Sequence, residues 1–261
     1  MSETENLRAR IKGVFSCEKI AKVGAGATLR KTTQTMYWFA EEDEEGRIWI
    51  QPLNPNYVPS GPKQEIPKEQ FLEQYAPEPE FYSSKVYPNI RKLNQTIAKA
   101  ERHRINGESF SAEFEFGNAL RVDEENIRAN FGLGLTYLER GETSKADNIF
   151  QRLIKMESTF DTEHKHLFNE FGINLRKNEM YDQATEYYAK ALELSPNDEN
   201  LHYNMARACF AKADIQKTIE HLRMALSLNK DLEIAKKFLI YLKKNNLLPQ
   251  NLSSSDPTAS G

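Results

Sequence analysis

The sequence predicts a mainly α protein: a solenoid of helical hairpins, with four repeats plus a capping helix, and a small amino-terminal β-rich (α+β) module. Three observations carry this. Small, short and large apolar residues recur in a common register between residues 93 and 232. A run of aromatic and β-branched residues near the amino terminus is broken by an acidic turn ending in glycine. Residues 165–198, KHLFNEFGINLRKNEMYDQATEYYAKALELSPND, read as two short amphipathic helices joined by a polar turn.

The chain divides by pattern into residues 1–88, residues 89–248 and a tail of residues 249–261. Residues 1–10 are polar. Val14 to Lys22 is expected as a strand. The run Gly24-Ala25-Gly26-Ala27-Thr28 lies beside Arg30 and Lys31. A glycine turn next to basic residues can cradle phosphate, but the spacing of a P-loop is absent, so a turn between strands is expected. Gln34 to Leu53 is a hairpin, with its turn at Asp43-Glu44-Glu45-Gly46. Tyr37 and Phe39 share one face and Trp38 takes the other, so the hairpin is expected to be sandwiched. Pro55, Pro59, Pro62 and Pro67 make an extended loop. Pro67 to Tyr75 reads as a short helix with proline in its first turn, and Glu80 to Pro88 as a linker.

The repeats follow. One small residue per first helix appears as Ala100, Gly134, Gly172 and Ala206. A short residue in each second helix appears as Ala112, Ala146, Ala184 and Thr218, a large one four positions on as Phe116, Phe150, Tyr188 and Leu222, and a further one as Ala119, Leu153, Ala191 and Ala225. Every series steps by 34, 38 and 34 residues, with an insertion near Phe160 to Glu163. The repeats are therefore 93–126, 127–160, 165–198 and 199–232. Residues 233–245 form a capping helix that turns Ile234, Phe238 and Tyr241 or Leu242 to the stack and its lysines to water. The serine-rich residues 249–261 are expected to be disordered.

Gly172, Tyr181, Ala184, Tyr188, Ala191 and Pro196, with Gly134, Tyr137, Gly141, Ala146 and Phe150 before them, resemble the tetratricopeptide repeat (TPR) family. The likeness covers about residues 93–232. Lys99, Thr218, Ser158 and Lys230 depart from the family's pattern. The resemblance implies a twisted stack whose first helices line a concave surface that binds extended protein segments. By matching positions, that lining comprises Asn94, Ile97 and Glu101, then Arg128, Phe131, Leu135 and Leu138. The third repeat adds His166, Asn169, Ile173 and Arg176, and the fourth Asn200, Tyr203, Asn204 and Arg207. Asparagine both donates to and accepts from a peptide backbone, and arginine grips a carboxylate through two bonds. The set does not match the spacing of the family's carboxylate clamp.

A formal charge of −3 over 261 residues gives no general electrostatic reason to bind nucleic acid or an anionic membrane. No run approaches the roughly 18 apolar residues of a membrane span, and the amino terminus lacks the apolar core of a secretion signal. Cys17 and Cys209 lie in different modules, consistent with reduced thiols and a cytoplasmic home. HExxH, CxxC and GxSxG are absent, so no catalytic, metal or cofactor site is expected and the chain is read as non-enzymatic. Three functions are weighed. One is a scaffold or adaptor binding a protein or peptide segment in the groove. Another is a ligand or nucleic-acid sensor using the amino-terminal sheet. The third is a structural protein that self-assembles into a homo-oligomer.

Overall fold

The computed structural model describes residues 10–23, 30–156 and 164–248. The glycine run, the insertion and the tail predicted above lie outside these residues, as do the side chains of Arg30 and Lys31. The chain forms two compact units, Met1–Gly132 and Leu133–Gly261.

The first unit opens with an antiparallel sheet of five strands, β1 (Lys12–Val23), β2 (Arg30–Glu42), β3 (Ile48–Pro52), β4 (Gln64–Ile66) and β5 (Ala76–Pro77), in the order β4-β3-β2-β1-β5. Alternation decides its faces. Cys17, Trp38, Ala40, Ile48, Ile50 and Ile66 point inward and pack on Phe71 of α1 (Lys68–Gln74). On the other face Tyr37 meets Phe81 at 4.6 Å and Phe39 meets Tyr82 at 6.2 Å. The hairpin is thus sandwiched, as its two apolar faces require. Its acidic turn is structural: the Asp43 carboxylate accepts hydrogen bonds from Trp49 Nε1 at 3.0 Å and Arg47 Nε at 2.8 Å, and from the backbone of Glu45 and Arg47.

The expected linker is helical. Pro79 starts α2 (Pro79–Phe81), and a π-helical turn, Tyr82–Val86, leads into α3 (Tyr87–Ile105). Pro88 near the start of α3 has no N–H to give, and the wider turn absorbs that break, with Tyr87 N bonding Tyr82 O. α4 (Ser109–Val122) returns against α3. The proline-rich loop then serves the end of α4. Asn54 and Asn56 each donate to the Val122 carbonyl, at 2.9 and 2.8 Å, and the Ser60 hydroxyl donates to Asp123 at 2.6 Å. These bonds satisfy carbonyl and side-chain groups that a helix terminus leaves open.

The remaining helices are α5 (Ile127–Glu139), in which the boundary between the units falls, and then α6 (Thr143–Leu153), α7 (Lys165–Lys177), α8 (Tyr181–Leu194), α9 (Glu199–Ala211), α10 (Ile215–Leu228) and α11 (Glu233–Lys244). All sixteen residues of the four register series are buried. Thr218 fits an alanine position because its hydroxyl donates to the Asp214 carbonyl at 2.7 Å. The hairpin turns repeat the same register. Gly107, Gly141, Glu179 and Ala213 all have positive φ, between 60° and 78°. After each of them the next N–H bonds a carbonyl five residues back: Glu108 to His103, Glu142 to Tyr137, Met180 to Leu175 and Asp214 to Cys209, at 2.8–3.0 Å. That is the Schellman closure of a helix end.

α11 meets the expectation in part. Ala235 and Leu242 are its buried residues, with Phe238 and Leu239 half-buried beside them, whereas Ile234 and Tyr241 are 46% and 49% exposed. The spacing 235, 238, 239, 242 is itself a helical stripe. It keeps the predicted Phe238 and Leu242 and replaces Ile234 by Ala235, because Ile219, Leu222 and Ala206 set the contact.

Candidate functional site

In the first unit, Arg128 on α5 is exposed but engaged. Its guanidinium reaches both carboxylate oxygens of Glu101 at 2.9 Å. Phe131 and Ile97 are fully buried, as are Leu135 and Leu138 on the part of α5 that belongs to the second unit, so these are interior residues and do not line an open surface. Apolar residues at 127, 129, 131, 133, 135 and 138 run round α5 instead of along one face, and a helix of that kind is buried on most sides.

In the second unit, α7 and α9 carry the rest. His166 and Asn200 are exposed, while Asn169, Ile173, Arg176, Tyr203, Asn204 and Arg207 are half-buried. The structure brings Arg176 and Arg207 into each other's electrostatic reach, with Tyr181, Tyr188 and Tyr203 around them. Burial, and next the charge of Arg207, push the Arg176 guanidinium below its ordinary value. The Arg207 guanidinium lies 5.7 Å from the centre of the Tyr203 ring, a cation–π arrangement. Neither arginine makes an ion pair with any described residue. Oδ1 of Asn169 is buried and accepts no hydrogen bond among the described residues. The site therefore holds two arginines with no ion-pair partner among the described residues, beside the ring of Tyr203.

The capping helix α11 lies alongside α9, joined to it by ring contacts. Asn200, Tyr203, Arg207 and Phe210 on α9 recur one period later as Ile234, Lys237, Tyr241 and Lys244 on α11, all four exposed. Extending the 34-residue step once more is the signal that finds them. Among the described residues no group of three or more His, Cys, Asp or Glu is placed to hold a metal. No described helix is long and apolar enough to cross a membrane.

Antiparallel helix pairs, small residues at their crossings and a left-handed residue in every turn define a helical-repeat protein. Residues 127–160 and 175–237 each match a tetratricopeptide repeat model, so these residues are repeats of that family. Among relatives, anaphase-promoting complex subunit 3 of Schizosaccharomyces pombe is 24% identical over 133 residues, 51% of this chain and 19% of its own length. The peroxisomal targeting signal receptor of Candida albicans is 25% identical over 156 residues, 58% of this chain and 26% of its own. The chain thus spans about a fifth to a quarter of these relatives. The solved structure of MamA 41-end from Desulfovibrio magneticus RS-1 is 17% identical, with a TM-score of 0.46, over 59% of this chain and 85% of that one. The repeat family supports protein–protein interaction as the business of this chain.

Proposed function

We propose that the chain is a non-enzymatic scaffold or adaptor, and that the surface formed by α7 and α9 holds an extended, acidic segment of a partner protein. The observation that carries this is the Arg176–Arg207 pair, half-buried and without a carboxylate among the described residues. Two like charges held close in a partly desolvated site repel, and an acidic side chain between them reverses the sign. Asn204, half-buried on α9, can bond the backbone of the same segment in either sense. Both cysteines are free thiols, in keeping with work in the cytoplasm.

The test is recovery of partners from native lysate with Asn204→Ala/Arg207→Ala, compared with charge changes at Glu186 and Lys190 on α8. The inner pair is expected to lose the partners while the helical melt stays near that of the parent, and the α8 changes to keep them. The reverse pattern would move the interaction surface to the second helices or to the sheet.

A further inference from the structure

The Arg176–Arg207 site is continuous with a cluster of rings shared by α9 and α11. Phe238 lies 6.4 Å from Tyr203 and 5.2 Å from Phe210, and Tyr241 lies 6.1 Å from Phe210 and 6.4 Å from Phe238, three of the four contacts edge-to-face. Phe210 and Phe238 form a fixed floor, because they pack on the buried cluster of Ala206, Ile219, Leu222, Ala235 and Leu242. The rim is open: Tyr241 is 49% exposed and Ile234 46%. An apolar rim on a rigid apolar floor is a seat for a large side chain. Lys237 and Lys244 are exposed on the same helix, and neither makes an ion pair with a described residue. The surroundings of the rings are therefore cationic, as the arginine pair is.

We infer that the groove reads a two-part signal: an extended partner segment that sets an acidic side chain on Arg176 and Arg207 and a large apolar or aromatic side chain against Tyr241, Ile234 and Phe238. This rests on the reading of the arginine pair as the acidic anchor. Charge complementarity selects the occupant: Arg176, Arg207, Lys237 and Lys244 have no ion-pair partner among the described residues, while the acidic groups at the start of α11, Asp231 and Glu233, are paired by Lys236. Geometry limits the spacing. Tyr203 adjoins both anchors, 5.7 Å from the Arg207 guanidinium and 6.4 Å from Phe238, so Arg207 and Phe238 are at most the sum of those two distances apart. An extended chain advancing ~3.3 Å per residue covers that span in about three or four residues. A segment with both features at that distance fits, and one with either alone uses half of the surface.

Fluorescence anisotropy of labelled synthetic peptides on the full chain tests this. The four peptides share a Ser/Ala frame. One carries two glutamates, one adds phenylalanine four positions after them, one places it four positions before, and one has the phenylalanine alone. The acidic peptide is expected to bind weakly and salt-sensitively, and one of the two combined peptides about tenfold tighter, the gain of partly burying one large apolar side chain. Tyr241→Ala and Ile234→Ala, both at half-exposed positions, should each reduce that gain and leave the acidic peptide unchanged. Phenylalanine that gives no gain on either side, or a gain that survives both substitutions, overturns the two-part signal while the acidic anchor stands. Separately, if Arg207→Ala leaves the acidic peptide's affinity unchanged, the acidic anchor itself falls. If no peptide binds below millimolar concentration, both readings are lost.

Discussion

Replacing Gly172 by alanine tests the packing that holds each hairpin together. A Cβ at this position would sit 2.6 Å from both Cζ and the hydroxyl oxygen of Tyr188, and 2.9 Å from its Cε1. Carbon atoms pack at about 3.5–4.0 Å, so the ring must recede by about 1 Å. It is 1% exposed and has Tyr187 at 6.2 Å, so there is no solvent to recede into. Overpacking of this kind costs about 1–3 kcal/mol, and the better helix propensity of alanine returns about 1 kcal/mol. Gly172→Ala should therefore destabilise, by up to about 2 kcal/mol net. Gly117, mid-helix in α4, is the control. A Cβ there meets nothing within 4 Å, and Gly117→Ala should stabilise by about 0.5–1 kcal/mol. Urea unfolding reads both: far-UV circular dichroism for Gly172, and tryptophan fluorescence for Gly117, whose unit contains Trp38 and Trp49, the chain's two tryptophans. In a Tyr188→Ala background the ring is gone, and Gly172→Ala should change sign to stabilising. A cost that persists without the ring, or stabilisation at Gly172 with it, would refute the close approach of α7 and α8 as the reason for glycine.

Two further outcomes follow from the same geometry. Ala213 occupies the left-handed turn position held by glycine in the first two hairpins, at φ 60°; since that conformation costs a non-glycine residue roughly 1–2 kcal/mol, Ala213→Gly should raise the urea midpoint, and a lowered midpoint would contradict the turn. The pH dependence turns on a pair of histidines. His202 Nε2 donates to the Pro196 carbonyl at 3.0 Å, which leaves its Nδ1 to accept from Nδ1 of His221 at 3.1 Å. Burial first, and then His202, lower the pKa of His221. A histidine held neutral in the folded state contributes stability that is complete above its unfolded pKa of about 6.5 and is lost as pH falls through and below it. The unfolding free energy from urea titrations should thus drop between pH 7.5 and 5.5, by no more than about 1.4 kcal/mol per pH unit for one proton, and His221→Gln should flatten the slope. An unchanged slope in that variant would exclude the pair as its source. Glu115, Glu142 and Glu233 have pKa values lowered from 4.5, so their contributions are lost in a more acid window.

The repeats were legible because the forces that form a hairpin are local and recur. A small residue where helices cross, a large one four positions on and a short polar turn leave the same mark every 34 residues, and burial of all sixteen register positions follows. The β-hairpin was legible for the same kind of reason, since alternation assigns Trp38 to one face and Tyr37 with Phe39 to the other. Where neighbours on other elements decide, sequence periodicity was silent or misleading. Phe131 matched a groove position, yet α5 is apolar on most sides and that residue is interior. Of the predicted stripe of α11, Phe238 and Leu242 meet the core set by Ile219, Leu222 and Ala206, whereas Ile234 is 46% exposed and Tyr241 reaches the stack only at its edge, against Phe210 and Phe238. The π-helical turn before Pro88 turned a predicted linker into helix. By itself, then, the amino-acid order determined that this protein is a set of tetratricopeptide hairpins beside a small sheet, because each of those elements buries its apolar face against residues close in the chain. Only the tertiary structure decided that Arg176 and Arg207, which the repeat register had set on one surface, are half-buried without a carboxylate among the described residues, and that rings from α9 and α11 adjoin Arg207 through Tyr203. Such meetings depend on how far each helix is rotated about its axis, and that angle is set by packing between helices, on which the spacing of residues within one helix is silent.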